Sequence, residues 1–136
     1  MREMVDTKKF AVKMLMGAIQ YAAAQLAELD EGFKKKLTGI DTVIQWKVEP
    51  DGPNSYTVVK DSKIKGKMDA VHENPNFTIT LTSVDAALDL FRAKLEVQKA
   101  IEEGKIKIDG DMQKAMNQMF ILEDLAEYLG DLTSGG

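Results

Sequence analysis

The strict alternation of residues 77–82 constrains the fold of this chain more than any other feature. Phe77, Ile79 and Leu81 are apolar, and a threonine stands between and after them. Successive side chains of a strand point to opposite faces, so this pattern predicts a strand with one buried and one wetted face. The chain must therefore supply neighbouring strands and a cover for one face of the sheet.

The first part of the chain has helical periodicity instead. Between residues 7 and 29 apolar side chains recur every three or four positions, which predicts a long helix. Phe10, Met14, Ala18 and Tyr21 form a second apolar row on it, which indicates contact on two sides. Gly32 is the predicted stop signal, and the lysines at 34–36 are predicted to form a solvated segment.

Four further strands are predicted from alternation and from turn signals. Glycine, proline, asparagine and aspartate cluster between the apolar runs, where such residues mark turns. The predicted strands cover residues 42–48, 56–59, 63–70 and 105–109. In the third of them, Lys63, Lys65 and Lys67 lie on the face opposite Ile64. That strand therefore has one apolar face and one face that carries lysines.

Capping residues mark the remaining helices. Thr82 or Ser83 is the predicted N-cap of a helix that follows the fourth strand, and Asp111 caps a last helix that continues to Leu129 and ends at Gly130. The predicted fold class is α+β, with a five-stranded, mainly antiparallel sheet covered on one face by helices. We expect one domain over residues 1–136, with the sheet and its helices within 42–129.

Composition removes several classes of function. The 136 residues include no cysteine, which excludes disulfides and thiolate chemistry, and one histidine, which argues against triads and histidine zinc sites. The net charge of −4 argues against nucleic-acid binding driven by electrostatics. The longest uncharged stretch, residues 14–27, is shorter than the roughly 20 residues that span a bilayer. We expect a cytoplasmic protein without metal or cofactor.

Two segments resemble the sterol carrier protein-2 family of lipid-binding domains. Residues 74–83 read NPNFTITLTS and residues 104–116 read GKIKIDGDMQKAM, in the order and spacing of that family. The close match covers residues 74–119, whereas the amino-terminal half agrees in element order. The resemblance implies an apolar tunnel between sheet and helices. It also implies non-enzymatic binding of a fatty acid, an acyl-CoA thioester or a sterol-like or isoprenoid-like lipid.

The resemblance also implies a lining for the tunnel. Carried over position by position, the lining consists of Phe77, Ile79, Leu81, Leu88, Phe91, Ile106, Ile108, Met112, Met116 and Met119. Methionine is flexible and polarisable, which suits ligands of varied shape, although a methionine stripe at helical spacing is usually core. Relatives often have a glutamine near the position of Met119, whereas here the amide is Gln118. We expect the last helix to close the tunnel and to move when a ligand enters.

Two other hypotheses stay open beside a lipid carrier that contacts membranes transiently. In the first, Phe10, Met14 and Tyr21 bind a partner or a second copy, so that the chain is an interaction module accompanying lipid-metabolising enzymes. The second is a small α+β enzyme with an apolar pocket, which needs a buried acid. No carboxylate falls on the predicted apolar face of the sheet. Only Asp69 or Asp109 pointing into the cavity would support an enzyme.

Overall fold

The computed structural model describes residues 2–92, 96–121, 123–125 and 127. Within these ranges lie five strands, five helices with defined bounds, and further helical residues from 120 onward. The helices are α1 (Arg2–Leu29), α2 (Glu31–Lys36), α3 (Val84–Phe91), α4 (Val97–Glu102) and α5 (Met112–Asn117). The strands are β1 (Thr42–Val48), β2 (Asn54–Lys60), β3 (Lys63–Met68), β4 (Phe77–Leu81) and β5 (Ile106–Gly110). None of the helices within these ranges is long and apolar enough to cross a bilayer.

The strands form one sheet in the order β3-β2-β1-β4-β5. Three of the four pairings are antiparallel, and β1 with β4 is the parallel pair, in which Trp46 lies beside Ile79. Asp61 and Ser62 both have positive φ, 53° and 59°, as a two-residue hairpin turn between β2 and β3 requires. The predicted fold class, a mainly antiparallel five-stranded sheet with helices, is confirmed.

The inward face of the sheet is apolar and is covered by α1. From α1, the buried row Val12, Met16, Ile19, Ala23 and Ala27 packs on the sheet. This row follows the three- and four-residue steps that predicted the helix. α1 crosses β3 and also contacts α3. The helical layer therefore lies on one side of the sheet, and the lysines of β3 lie on the other side.

The predicted caps are present. Ser83 Oγ accepts a hydrogen bond from the Ala86 amide at 3.0 Å, so Ser83 rather than Thr82 is the N-cap of α3. Asp111 Oδ1 accepts one from the Lys114 amide at the same distance and begins α5. Each side-chain oxygen satisfies an amide that the first helical turn leaves without a partner.

The expectation for Gly32 is wrong. α1 ends at Leu29, and Gly32 lies inside the short helix α2. Asp30 caps this helix by accepting a hydrogen bond from the Phe33 amide at 3.0 Å, and Phe33 is buried against Phe120, with ring centroids 6.0 Å apart. The cap and the buried ring together outweigh the low helix propensity of glycine. At the end of α2, Lys36 Nζ donates a hydrogen bond to Asp124 Oδ2 at 2.9 Å. This hydrogen bond raises the pKa of Lys36.

The prediction of a single last helix is also wrong. α5 ends at Asn117, a turn follows at 118–119, and helical structure resumes at residue 120. The Gln118 side chain donates from Nε2 to Thr42 Oγ1 of β1 at 2.9 Å, which ties the chain to the sheet at the turn. The predicted end at Leu129 and Gly130 lies outside the described residues.

Candidate functional site: an apolar hollow between sheet and helices

A hollow lies between the inward face of the sheet and the helical layer. Among the residues that the structure describes, fifteen side chains line it, and twelve of these are apolar. They are Met16, Ile19, Gln20, Ala23, Ile44, Trp46, Thr57, Phe77, Ile79, Phe91, Ala115, Gln118, Met119, Ile121 and Leu125. The volume of about 40 Å³ holds about three groups the size of a water molecule. A long hydrocarbon chain therefore fits only after lining side chains have moved.

The floor of the hollow comes from the two central strands. Ile44 and Trp46 of β1 point inward beside Phe77 and Ile79 of β4, because the parallel register aligns the two pairs. Trp46 is held on two sides. Its indole Nε1 donates to Thr57 Oγ1 at 3.2 Å, and its ring meets the edge of Phe91 at a centroid distance of 6.4 Å. The floor is thus rigid and apolar.

The roof comes from α1 and from the chain after α5. Met16, Ile19 and Ala23 of α1 close one side, and Met119, Ile121 and Leu125 close another. Methionine has more rotatable bonds than the branched residues of the floor. Met16 and Met119 are therefore the lining side chains that can move most readily.

Gln118, which lines the hollow, has a buried polar atom without a partner among the described residues. Its Nε2 donates to Thr42 Oγ1, but its Oε1 is buried without a hydrogen-bond partner in the described part of the chain, and the residue is 8% exposed. Leaving a buried acceptor unpaired costs about 1–3 kcal/mol. Such an atom fits a hydrogen-bond donor on a ligand.

Two surface grooves adjoin the hollow. Gln118 also borders a polar groove that includes Thr42, Lys114 and Asn117. Met119 also borders a second groove, between α4 and the chain after α5, with Val97 and Met116. The side chains of Gln118 and Met119 therefore separate the hollow from solvent in two directions.

The structure brings four of the ten predicted lining residues to the hollow: Phe77, Ile79, Phe91 and Met119. Leu81, Leu88 and Ile106 are buried in the core but do not line it, and Ile108 is partly buried. Met112 and Met116 are 45% and 37% exposed. Met112 and Met116 are exposed because α5 turns Ala115 toward the hollow, and the turn at 118–119 separates their helical stripe from Met119.

Most of the lining that the sequence-based prediction did not include comes from α1 and β1. Met16, Ile19 and Ala23 belong to the inward row of α1, and Ile44 and Trp46 share one face of β1. Both patterns are visible in the sequence and mark these residues as buried. The resemblance does not assign them to the site, because its motifs begin at residue 74.

The two carboxylates on which an enzyme hypothesis depends lie away from the hollow. Asp69 forms an ion pair with Lys13 at 2.8 Å, and the Asp69 side chain is 57% exposed. Asp109 is exposed on the outward face of β5. Neither is among the fifteen lining residues, so the structure offers no support for an acid inside the hollow.

The described residues form an α+β fold in which helices cover a mixed sheet around an apolar hollow. The model of the SCP-2 sterol transfer family matches residues 23–123. The chain belongs to this family. No curated protein sequence matches the chain.

Solved structures share the fold. The solution structure of sterol carrier protein domain 2 from Helicoverpa armigera is 29% identical with a TM-score of 0.59, covering 82% of this chain and 87% of that one. The apo form of sterol carrier protein 2 from Yarrowia lipolytica is 16% identical with a TM-score of 0.64, covering 87% and 94%.

A larger enzyme contains a similar unit. The inverting sec-alkylsulfatase Pisa1 from Pseudomonas sp. is 22% identical over 66% of this chain, with a TM-score of 0.54. The matched part is 14% of that enzyme, so this chain spans a small fraction of its length. At this identity the likeness concerns the fold.

Proposed function

We propose that the chain binds a lipid in the hollow and carries it without chemical conversion. The observation that carries this proposal is a mostly apolar lining in a chain that belongs to the SCP-2 sterol transfer family. The ligands that suit such a lining are fatty acids, acyl-CoA thioesters and sterol-like or isoprenoid-like lipids. None of the described residues that line the hollow carries a carboxylate, which supports a carrier over an enzyme.

The free energy of burial is sufficient for useful binding once the hollow widens. Each buried methylene contributes about 0.8 kcal/mol, so a chain of sixteen carbons gains roughly 12 kcal/mol. Association costs at least about 4 kcal/mol, which leaves at most about 8 kcal/mol and so an affinity no tighter than about micromolar, with loose selectivity. We propose that the segment containing Met119, Ile121 and Leu125 closes the hollow and moves when a ligand enters.

The polar end of the hollow favours one kind of head group. Gln118 Oε1 is a buried acceptor, so it pairs with a head group that donates a hydrogen bond, such as a hydroxyl. An ionised carboxylate only accepts, and its oxygen would face the oxygen of Gln118. Long-chain alcohols are therefore expected to bind more tightly than the fatty acids of equal length at neutral pH.

Trp46 supplies the measurement, because it is the one tryptophan of the chain and lines the hollow. Titration with hexadecanol is expected to change its emission saturably near micromolar concentration, and palmitate is expected to bind more weakly. Glycerol, which has hydroxyls but no chain, serves as the control. Native mass spectrometry of protein from its own host should show a copurified lipid. Flat titrations together with a bare mass would refute the proposal.

A second candidate function rests on the exposed side of α1. Phe10, Met14 and Tyr21 are 64%, 56% and 69% exposed and lie on the same side of the helix. Large apolar side chains grouped on a surface mark interaction sites. The corresponding proposal is a module that pairs with a second copy or with a lipid-metabolising enzyme.

Replacing Phe10 by aspartate tests this second function. If the α1 side pairs two copies, light scattering should show a dimer for the parent chain and a monomer for Phe10→Asp, since a buried unpaired charge is strongly unfavourable. Gln113→Asp makes the same change in charge on the exposed side of α5 and should leave the mass unaltered. A parent chain that is monomeric at every concentration rules out self-association.

A further inference from the structure

Positive charge is concentrated in one hairpin of this acidic chain. The β2–β3 hairpin, residues 54–68, contains four lysines and one acid, Asp61, for a charge of +3. Because the whole chain carries −4, the remaining residues carry −7. This segregation is large enough to give the two parts of the surface potentials of opposite sign.

The sheet register brings these lysines to one surface. Lys63, Lys65 and Lys67 alternate with buried Ile64 and point away from α1, and Lys60 lies directly across the turn from Lys63. Lys47 and Lys107 share this outward side, because both pair with Thr80 in the sheet. We call this surface the basic face; it consists of Lys47, Lys60, Lys63, Lys65, Lys67 and Lys107, all exposed.

The charges of the three β3 lysines are close enough to act together. Alternate residues of a strand are about 7 Å apart, so Lys63, Lys65 and Lys67 span about 14 Å. Neighbouring lysines thus lie within the Debye length of about 10 Å at 0.1 M salt. The acids beside them are Asp61 in the turn, Glu73 after the loop that crosses Gln45, and Asp109 on β5.

The lysines of the basic face take no part in ion pairs among the described residues. The ion pairs found there use other lysines, such as Lys8 with Asp85 and Lys13 with Asp69, on or beside the helical layer. Some lysines elsewhere, such as Lys34, Lys35 and Lys99, also lack an ion pair among the described residues, but these three lie on the short helices α2 and α4 and not on the outward side of the sheet. The six positive charges of the basic face are therefore available to an external partner.

Protection of the sheet edge explains only part of this arrangement. β3 and β5 are edge strands, where lysines discourage pairing with other chains. Lys47 and Lys60 lie on interior strands, for which this explanation does not apply. Either sign of charge would also protect an edge, whereas all six side chains here are positive.

We propose that the basic face docks on an anionic membrane surface. Lysine is a compact point charge that matches lipid phosphates and carboxylates without demanding a fixed geometry. The acidic remainder of the chain is repelled by such a surface, which turns the helical layer and α1 away from it. Nucleic acid fits less well, because the Tyr56 ring already packs on His72, at 5.1 Å, and is not free to stack on bases. This docking does not require a ligand in the hollow.

Cosedimentation with vesicles tests the docking. The chain is expected to bind vesicles containing phosphatidylserine and not vesicles of pure phosphatidylcholine. A lysine near an anionic surface strengthens binding about fivefold, so Lys63→Glu/Lys65→Glu/Lys67→Glu should weaken it by at least about 100-fold. The triple variant Lys34→Glu/Lys35→Glu/Lys99→Glu makes the same change in charge on exposed helical positions and should weaken binding less than about tenfold.

A second variant keeps the test independent of the edge strand. Lys47→Glu/Lys60→Glu changes interior strands and should weaken vesicle binding at least about 25-fold with the fold unaltered by circular dichroism. Equal losses in the helical and sheet variants, equal binding to neutral vesicles, or tighter binding to a polynucleotide than to anionic vesicles would each overturn the proposal. Retained vesicle binding in a variant that cannot bind hexadecanol would show that docking and ligand binding are separate.

Discussion

Ala23→Leu is expected to weaken lipid binding about thirty-fold. Ala23 is buried on α1 and lines the hollow. Leucine adds three carbon atoms, which is about what the 40 Å³ hollow holds. A ligand must then give up burial of roughly three methylenes at about 0.8 kcal/mol each, a loss of about 2 kcal/mol. Titration followed by Trp46 emission measures the change.

The same substitution is expected to stabilise the empty protein. Filling a cavity commonly adds about 0.5–2 kcal/mol to the free energy of unfolding, and leucine keeps the helix propensity of α1 high. Ala18→Leu adds the same atoms to the exposed side of α1 and should change neither quantity much. Opposite changes in stability and affinity would mark the hollow as the binding site. Unchanged affinity in Ala23→Leu would place the ligand elsewhere.

Gly110→Ala is expected to lower the free energy of unfolding by at least about 2 kcal/mol. Gly110 ends β5 with a φ of +112°, which costs about 1–3 kcal/mol for residues other than glycine. A Cβ there would lie 2.6 Å from the Asn76 carbonyl oxygen and 2.8 Å from the Phe77 Cα. Both are backbone atoms, so β4 and β5 would have to separate where Phe77 pairs with Gly110.

Gly17→Ala provides a matched control with the opposite sign. Gly17 lies within α1, and a Cβ there would meet nothing within 4 Å. Alanine is favoured over glycine in a helix by about 0.5–1 kcal/mol, so this variant should be more stable than the parent. Urea unfolding of both variants measures the difference. A Gly110→Ala chain as stable as the parent would mean that the β5–α5 junction yields without cost.

The local sequence pattern was sufficient to predict some of the strands and helix starts. The alternation at Phe77, Ile79 and Leu81 predicted β4, and Ser83 and Asp111 predicted the starts of α3 and α5. In each case the physical cause is contained within a few residues, either the two-fold period of a strand or an oxygen that reaches a nearby amide.

The elements that the local pattern did not predict depend on contacts between residues far apart in the sequence. α2 depends on Phe33 packing against Phe120, and the turn after α5 coincides with the bond from Gln118 to Thr42. Neither partner is near in sequence. The same limit applies to the site, because helical periodicity marks Met112 and Met116 as apolar without showing that Ala115 is the residue of α5 that faces the hollow.

The parallel pairing of β1 with β4 has a consequence for folding as well as for binding. This pairing joins two parts of the sheet, the antiparallel strands β1–β3 and the later pair β4 and β5. Trp46 and Ile79 lie side by side where the two parts meet. Neither half alone can build the hollow, so the site arises only when contacts distant in sequence have formed, a slow event in folding. A lipid present at one hundred times its Kd would then add about 2.7 kcal/mol to the free energy of unfolding. If the proposed function is correct, the chain with a bound lipid should therefore resist proteolysis longer than the chain without one.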